Sequence, residues 1–220
     1  MNKKGFIFDL DGVIVDTAKY HFLAWKHLAD DLNIPFTEVE NEQLKGISRV
    51  HSLEKILALG NLSISKEKFD RLMAEKNEDY LKYISEMTNT EILPDIENTL
   101  NFLKNNNQKI ALGSASKNAK AILEKVGLIN DFEVIIDGNK VTEAKPNPEV
   151  FLKAARGLEV DAKDCIVFED SLAGIKAANL GGMMSIGIGS KDVLFEADYV
   201  FKDFTEISVE FLQKLMNKKI

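Results

Sequence analysis

Over most of the chain after Ile92, short apolar runs alternate with segments of helical periodicity. The apolar runs cover 110–112, 134–136, 166–168 and 184–188. The segments between them, 119–126, 149–158 and 172–180, carry apolar residues every three or four positions. A run without polar residues is typical of a strand covered on both faces, and strands separated by helices pair in parallel. The alternation therefore predicts an α/β fold with a Rossmann-like parallel-sheet core.

One further apolar run, Phe6-Ile7-Phe8, lies near the amino terminus. The segment after it has a helical period instead, with apolar residues at three- and four-residue steps. These residues are Phe22, Trp25, Leu28, Ala29 and Leu32. Because the run at 6–8 has the composition of a strand in the same buried sheet, we interpret the helical segment as an insertion. We expect a discontinuous core, residues 1–15 and 92–220, and a helical cap domain, residues 16–91.

Polar residues follow four of the apolar runs. They are Asp9 and Asp11 after the first run, Ser114 after the second, Lys145-Pro146 beyond the third, and Glu169-Asp170 after the fourth. Ligands of open α/β sheets bind beyond the carboxyl ends of the strands, so these segments are expected to meet at one crevice. A single aspartate in such a place is usually a turn or helix cap. Four polar segments at equivalent places predict a functional site.

The residue types in this crevice indicate a class of chemistry. Carboxylates that face one another repel, and a bound cation relieves the repulsion. A few oxygen ligands, with places left for water and phosphate, suit Mg²⁺ better than Ca²⁺. Ser114 supplies a hydroxyl and Lys145 a positive charge for phosphate oxygens. An aspartate can then attack phosphorus to form an aspartyl phosphate, so the crevice predicts Mg²⁺-dependent phosphoryl transfer.

Four stretches of the sequence, FDLDGVIVDT, SASKN, KPNPEVF and FEDSLAGIKAA, resemble the ordered motifs of the haloacid dehalogenase superfamily. The resemblance implies that Asp9 is a nucleophile that also binds the metal and that Asp11 is the general acid/base. Asp11 is then expected to reach the metal through its backbone carbonyl. The other matched positions are Ser114 and Lys145 for phosphate, and Glu169 and Asp170 for metal.

Two details refine this resemblance. The dehalogenases themselves lack a partner like Asp11, so its presence favours phosphoryl chemistry. The Lys145-Pro146 bond is predicted to be cis, because X–Pro bonds have only a small trans preference and the resembling enzymes use this turn to aim the lysine.

The helical insert carries a second resemblance. Its stretches DTAKYHFLAWKHLA and NEQLKGISRVHSLEKIL are similar to the cap of the phosphoglucomutase branch of that superfamily. This resemblance implies an isomerase that interconverts β-D-glucose 1-phosphate and glucose 6-phosphate. The reaction would pass through β-glucose 1,6-bisphosphate, which acts as intermediate and activator, and small sugar phosphates would be the partners. An insert that closes over the crevice would determine which substrate reaches Asp9.

Such a bisphosphate needs a second anion site across the sugar from Asp9. Arg49 is the candidate, because its planar fork suits a phosphate. Free backbone N–H groups at a predicted helix start favour the same anion. The residues there are Ala115, Ser116, Lys117 and Asn118. The resemblance adds Lys45 and Gly46 as contacts of the sugar from the cap.

A polar side chain near the start of the insert is expected to position Asp11, the predicted general acid/base. His21 lies four residues after Thr17, a predicted N-cap, so both side chains share one helix face and can approach Asp11. The resemblance gives His21 a role in positioning Asp11 and gives Lys76 a supporting role.

Other conspicuous residues have ordinary interpretations. His27 and His51 are expected at the surface or in packing, and Trp25 in the core of the cap. The single cysteine, Cys165, begins an apolar run and is expected to pack in the core rather than to react. The segment 217–219 is expected to be a solvated helix end.

The charge balance limits the partners. A net charge of −7 provides no broad positive field, so binding to nucleic acid or to an anionic membrane is disfavoured. No apolar stretch approaches the roughly 20 residues of a membrane span. We expect a cytoplasmic enzyme, and a self-contained cap and core favour a monomer.

Two other functions stay open on the residues alone. A sugar-phosphate phosphatase shares every core motif and differs in letting water reach the aspartyl phosphate. Response-regulator receiver domains also combine acidic residues, a phosphorylated aspartate, a hydroxyl, a lysine and Mg²⁺ on an α/β sheet. The long helical insert directly after the first strand argues against a receiver domain.

Overall fold

A single parallel sheet forms the centre of the computed structural model, which describes residues 3–217. Its strands are β1 (Gly5–Phe8), β2 (Lys109–Gly113), β3 (Val134–Ile136), β4 (Cys165–Glu169), β5 (Met184–Ile188) and β6 (Tyr199–Phe201). The order across the sheet is β3-β2-β1-β4-β5-β6, and every pairing is parallel. The predicted parallel-sheet fold is confirmed.

Strand β1 lies between β2 and β4, which both come much later in the chain. Phe8 pairs with Leu112 on one side and with Phe168 on the other. All four residues of β1 are buried, as its unbroken apolar composition indicated. Strand β6 was missed by the sequence pattern, because its three half-buried residues form a short edge strand.

Five helices cover the two faces of the sheet. They are α5 (Ile96–Asn105), α6 (Ala119–Val126), α7 (Glu149–Leu158), α8 (Leu172–Leu180) and α9 (Val209–Asn217). Leu103, Leu123 and Leu212 belong to the cluster on one face, and Phe151 and Ala178 to the cluster on the other. Helix α9 ends at Asn217, so the prediction for residues 218 and 219 lies outside the described residues.

Cys165 packs in the second of these clusters, where burial raises the pKa of its thiol to about 12. A thiol with so high a pKa is almost fully protonated at neutral pH and is a poor nucleophile. Within residues 3–217, no helix combines the length and the apolar character needed to span a membrane.

Between β1 and α5 the chain forms four helices. They are α1 (Ala18–Asp31), α2 (Glu38–Glu42), α3 (Arg49–Leu59) and α4 (Lys66–Ser85), and we call them the cap and the sheet with its helices the core. The cap has its own hydrophobic cluster, which includes Trp25, Phe36, Leu53 and Leu72. The N-cap of α4 is Ser65, whose hydroxyl accepts a hydrogen bond from the Lys68 N–H.

The two segments that join cap and core run side by side. Val15 forms an antiparallel bridge with Ile92, and the Asp16 N–H donates to the Glu91 carbonyl at 2.9 Å. These crossings lie next to the carboxyl end of β1. The cap is therefore attached directly beside the strand ends where the predicted site lies.

Candidate active site

A cavity of about 1360 Å³ lies between the cap and the carboxyl ends of the strands. Every residue predicted for the site except Glu169 lines it. These residues are Asp9, Asp11, Thr17, His21, Lys45, Gly46, Arg49, Lys76, Ser114, Ala115, Ser116, Lys117, Asn118, Lys145 and Asp170. The cavity thus brings together side chains from both parts of the discontinuous core and from the cap.

Lys145 joins two buried carboxylates beneath this cavity. Its Nζ donates to Asp9 Oδ1 at 2.6 Å and to Glu169 Oε1 at 2.5 Å. The second oxygen of Glu169 accepts hydrogen bonds from the Ser171 N–H and hydroxyl at 2.7 and 2.8 Å. Both oxygens of Glu169 therefore accept hydrogen bonds, and its role as a metal ligand stays a prediction. Through the first of these bonds Glu169 positions Lys145.

Strong electrostatic interactions act on these groups. Burial raises the pKa of Asp9 to about 7, although the charge of Lys145 opposes the shift. Burial and the charges of Glu169 and Asp9 raise the pKa of Asp170 well above its usual range. The pKa of Lys145 is raised because Asp9 and Glu169 outweigh the effect of burial. The acidic groups therefore favour a further positive charge near Asp9 and Asp170.

The oxygen atoms around this point fit a divalent metal. Asp170 lies close to the loop after β1, since a Cβ on Gly12 would be 2.2 Å from its Oδ2. No donor among residues 3–217 bonds the main-chain carbonyl of Asp11. The described residues contain no group of three acidic, histidine or cysteine side chains arranged to hold a metal. The candidate ligands are therefore the carboxylates of Asp9 and Asp170 and the carbonyl of Asp11, which leave places for water and phosphate.

Gly12→Ala tests this close approach. Gly12 has a φ of +76°, and a Cβ there would collide with Asp170. We expect a loss of about 2–5 kcal/mol in the free energy of unfolding, from backbone strain and overpacking. Gly182→Ala is the control, because Gly182 has a φ of +69° with no atom within 4 Å of its Cβ position. It should lose only about 1–2 kcal/mol. Equal losses in urea unfolding would refute a tight contact at Asp170.

The side chain of Asp11 is held by two residues of the cap. Its Oδ1 accepts a hydrogen bond from the Thr17 hydroxyl and lies 3.6 Å from His21 Nε2. Burial would raise the pKa of Asp11, but the contacts with His21 and Thr17 lower it overall. Thr17 is the N-cap residue of α1, as predicted, although its side chain makes no capping hydrogen bond. Its hydroxyl donates a hydrogen bond to Asp11 instead.

Lys76 supports this arrangement from α4. Its Nζ lies 3.2 Å from His21 Nδ1 and 4.6 Å from the ring centres of Trp25 and Tyr80. Burial and the charge of Arg49 lower the pKa of Lys76 to about 7. Tyr80, which the sequence analysis missed, stacks on His21 with ring centres 4.3 Å apart. Tyr80 lies four residues after Lys76 on α4, and that spacing could have indicated a shared face.

Side chains of the loop after β2 accept hydrogen bonds from some of the loop's own backbone N–H groups. Ser114 Oγ accepts from the Ser116 N–H at 3.0 Å, and Ser116 Oγ accepts from the Asn118 N–H at 3.2 Å. These two N–H groups are therefore not free, in contrast to the prediction for the helix start. Among the described residues, the N–H groups of Ala115 and Lys117 have no hydrogen-bond partner. They are the backbone donors that this loop can offer to an anion.

A buried aspartate at the end of β3 was also missed. Asp137 follows β3 directly, whereas Lys145 comes eight positions later in the chain. Its carboxylate accepts from the Asn139 N–H at 3.1 Å, and the Asn139 side chain donates to the Lys117 carbonyl at 2.9 Å. Asp137 thereby supports the loop after β2. Its position directly after an apolar run was the available signal.

Arg49 is the first residue of α3 and is half-buried in the cavity wall. No carboxylate lies within 4 Å of its guanidinium among the described residues. Lys45, by contrast, pairs with Glu42 at 2.8 Å. Gly46 has a φ of +72°, and a Cβ there would lie 2.1 Å from Ser171 Oγ. The loop before α3 therefore touches the core, and the cap is closed over the cavity.

The structure also tests the predictions for the Lys145-Pro146 bond, Trp25, His27 and His51. The Lys145-Pro146 peptide bond is cis, as predicted. Trp25 is buried in the cap, while His51 is exposed and His27 contacts Asp79 at 2.6 Å on the surface.

The chain is similar to known proteins over most of its length. A family profile described as haloacid dehalogenase-like hydrolase matches residues 3–182. The beta-phosphoglucomutase of Bacillus subtilis is 45% identical over 213 residues, which are 96% of this chain and 94% of that protein. The crystal structure of beta-phosphoglucomutase from Clostridium difficile gives a TM-score of 0.94 at 44% identity and 98% coverage of both chains. A phosphorylated carbohydrates phosphatase of Thermotoga maritima is 29% identical over 182 residues, 82% of each chain.

Proposed function

The chain belongs to the haloacid dehalogenase-like hydrolase family, and we propose that it acts as a phosphoglucomutase that interconverts β-D-glucose 1-phosphate and glucose 6-phosphate. The observation that carries the proposal is one cavity lined both by the buried Asp9 of the core and by the unpaired Arg49 of the cap. A substrate with a phosphate at each end fits two such groups. The similarity to beta-phosphoglucomutases over cap and core supports the same activity.

Asp9 is the proposed nucleophile. Lys145 bonds one oxygen of its carboxylate, so the other oxygen is left to attack phosphorus and form an aspartyl phosphate. The bond from phosphorus to the sugar oxygen breaks as the new bond forms. Lys145 and Ser114 would hold the phosphate oxygens, because both lie buried at the base of the cavity.

Asp11 is the proposed general acid/base. It takes the proton from the sugar hydroxyl that attacks the aspartyl phosphate, and it returns a proton to the leaving sugar oxygen in the reverse step. Thr17 and His21 hold its carboxylate in place, and Lys76 holds His21. The cap therefore aligns the acid/base only when these helices lie over the core.

Membership of this family implies a divalent metal cofactor. We propose that it is Mg²⁺ and that Asp9, Asp170 and the carbonyl of Asp11 hold it, because this is a small set of hard oxygen ligands. When bound, it supplies positive charge that offsets repulsion between Asp9 and the phosphate. Glu169 acts on this site through Lys145 and Ser171.

The proposed intermediate, β-glucose 1,6-bisphosphate, has a second phosphate that does not meet Asp9. Arg49 and the N–H groups of Ala115 and Lys117 would bind it, with Lys45 and Gly46 beside the sugar. The bisphosphate then turns around and returns either phosphate to Asp9. One chain supplies every residue of this scheme, so we also propose that the enzyme acts as a monomer.

Arg49→Ala tests the second phosphate site. A charge-assisted bidentate contact contributes about 1.5–3 kcal/mol, so glucose 6-phosphate formation should fall roughly tenfold to a hundredfold. Phosphorylation of Asp9 by acetyl phosphate uses only the core and should change much less. Arg71→Ala is the matched control, since Arg71 is exposed on α4 and its one ion pair among residues 3–217 is with Glu75. An equal fall in both rates would assign Arg49 to folding or closure instead.

The similarity to the Thermotoga maritima phosphatase favours a second candidate activity, the hydrolysis of sugar phosphates. In a sugar-phosphate phosphatase, water rather than a sugar hydroxyl attacks the aspartyl phosphate. Measuring free phosphate beside glucose 6-phosphate from β-glucose 1-phosphate separates the two activities. Phosphate release that matches substrate loss, without isomerisation, would replace the proposed function.

A further inference from the structure

One hydrogen bond links the cap directly to the loop after β2. Asn118 Nδ2 donates to Asn77 Oδ1 of α4 at 3.0 Å. Within residues 3–217, it is the only hydrogen bond between two side chains that joins α2, α3 or α4 to the core. The only other hydrogen bond that joins these three helices to the core in the described part of the chain is made by Lys125, which donates to the Ser85 carbonyl at 3.0 Å.

The position of Asn77 connects two parts of the site. It follows Lys76, which contacts His21 and thereby the acid/base. Its partner Asn118 ends the loop after β2, next to Lys117 and its free N–H group. The same turn of α4 therefore contacts both the group that holds Asp11 and the loop that would bind the second phosphate.

Three groups at the base of the cavity are almost fully covered. Asp9, Ser114 and Lys145 are 4%, 0% and 3% exposed when the cap lies as it does here. A cap that separates from the core would open these groups to a sugar phosphate. Separation would pull Asn77 away from Asn118, because Asn77 belongs to the cap and Asn118 to the core. The bond is thus present only in the closed arrangement.

We propose that Asn77 is a positioning residue that aligns Asn118 and its loop with the second phosphate when the cap closes. This proposal rests on the proposed function, because that function supplies the second phosphate. In the open protein the Asn118 side chain is free to rotate, and ordering it costs conformational entropy. Asn77 fixes it on closure, so the anion site is complete only when water is excluded from Asp9.

Asn77→Ala tests the proposal. A neutral hydrogen bond contributes about 0.5–1.5 kcal/mol, so isomerisation should fall roughly twofold to tenfold while acetyl phosphate labels Asp9 as in the wild type. The control is Glu78→Ala, since Glu78 is exposed on the same turn and makes no hydrogen bond or ion pair with any described residue of the core. If Asn77 acts through Asn118, the variant with both residues changed should match Asn118→Ala alone. Fully additive losses, or unchanged isomerisation in Asn77→Ala, would overturn the proposal.

A second measurement does not depend on activity. Small-angle X-ray scattering of the ligand-free protein should give a larger radius of gyration for Asn77→Ala than for the wild type, because closure loses a contact. Asn77→Asp retains the oxygen that accepts from Asn118 and should restore the wild-type radius. If the wild type labels Asp9 but forms no glucose 6-phosphate, the proposed function fails, and scattering alone then decides whether Asn77 holds the cap. Equal radii for all three proteins would show that it does not.

Discussion

Asp9→Asn is expected to abolish both glucose 6-phosphate formation and labelling by acetyl phosphate, a loss of roughly 10⁴-fold or more. The amide has no anionic oxygen for attack on phosphorus, and it is a weaker metal ligand. The fold should persist, because asparagine has the same shape and Lys145 keeps its bond to Glu169. Burial raises the pKa of Asp9 to about 7, so folding disfavours its charge and a neutral side chain is tolerated there.

Controls for this variant address folding and contamination. Thermal unfolding should give a midpoint close to that of the wild type. Asp30→Asn is the matched control, because Asp30 lies on the surface of α1 and pairs with Lys26. It should leave both activities unchanged. Labelling near the wild-type level in Asp9→Asn, expressed in a host without a wild-type copy, would exclude Asp9 as the nucleophile.

Lys145→Met is expected to cause the largest loss of stability. The substitution leaves the carboxylates of Asp9 and Glu169 buried without the cation that both contact. Removing one partner of a buried ion pair costs about 3–5 kcal/mol, because the remaining charge stays desolvated. Urea unfolding in the presence of EDTA measures this cost without a compensating divalent ion. Turnover should also collapse, because the phosphate loses its lysine.

Two further variants test whether the loss of stability comes from the buried carboxylates. Adding Glu169→Gln to Lys145→Met removes one of the stranded charges and should restore part of the stability. Lys153→Met is the surface control, because Lys153 pairs with Glu149 on the exposed side of α7. It should change the free energy of unfolding by about 1 kcal/mol or less. A similar loss in Lys145→Met and Lys153→Met would contradict the buried network described here.

Local composition determined much of the architecture. Phe6-Ile7-Phe8 and the run at 166–168 contain no polar residue, and only a strand covered on both faces accommodates such runs in a chain that alternates with helices. Once the sheet is parallel, residues such as Asp9 and Asp170 must lie at the same edge. The sequence alone therefore predicted the sheet and the crevice, together with the helical insert that closes it.

Tertiary structure decided what each side chain contacts. Glu169 and Asp170 are adjacent in sequence, yet Glu169 turns inward to Lys145 while Asp170 lies beside Gly12 and lines the cavity. No local pattern distinguishes two neighbouring carboxylates, because their directions follow from the strand's pleat and from partners far along the chain. Asn77 likewise has no local signal, since its partner Asn118 lies 41 positions later in the chain, in the core. Composition sets which segments are buried, but only packing sets which polar atoms meet.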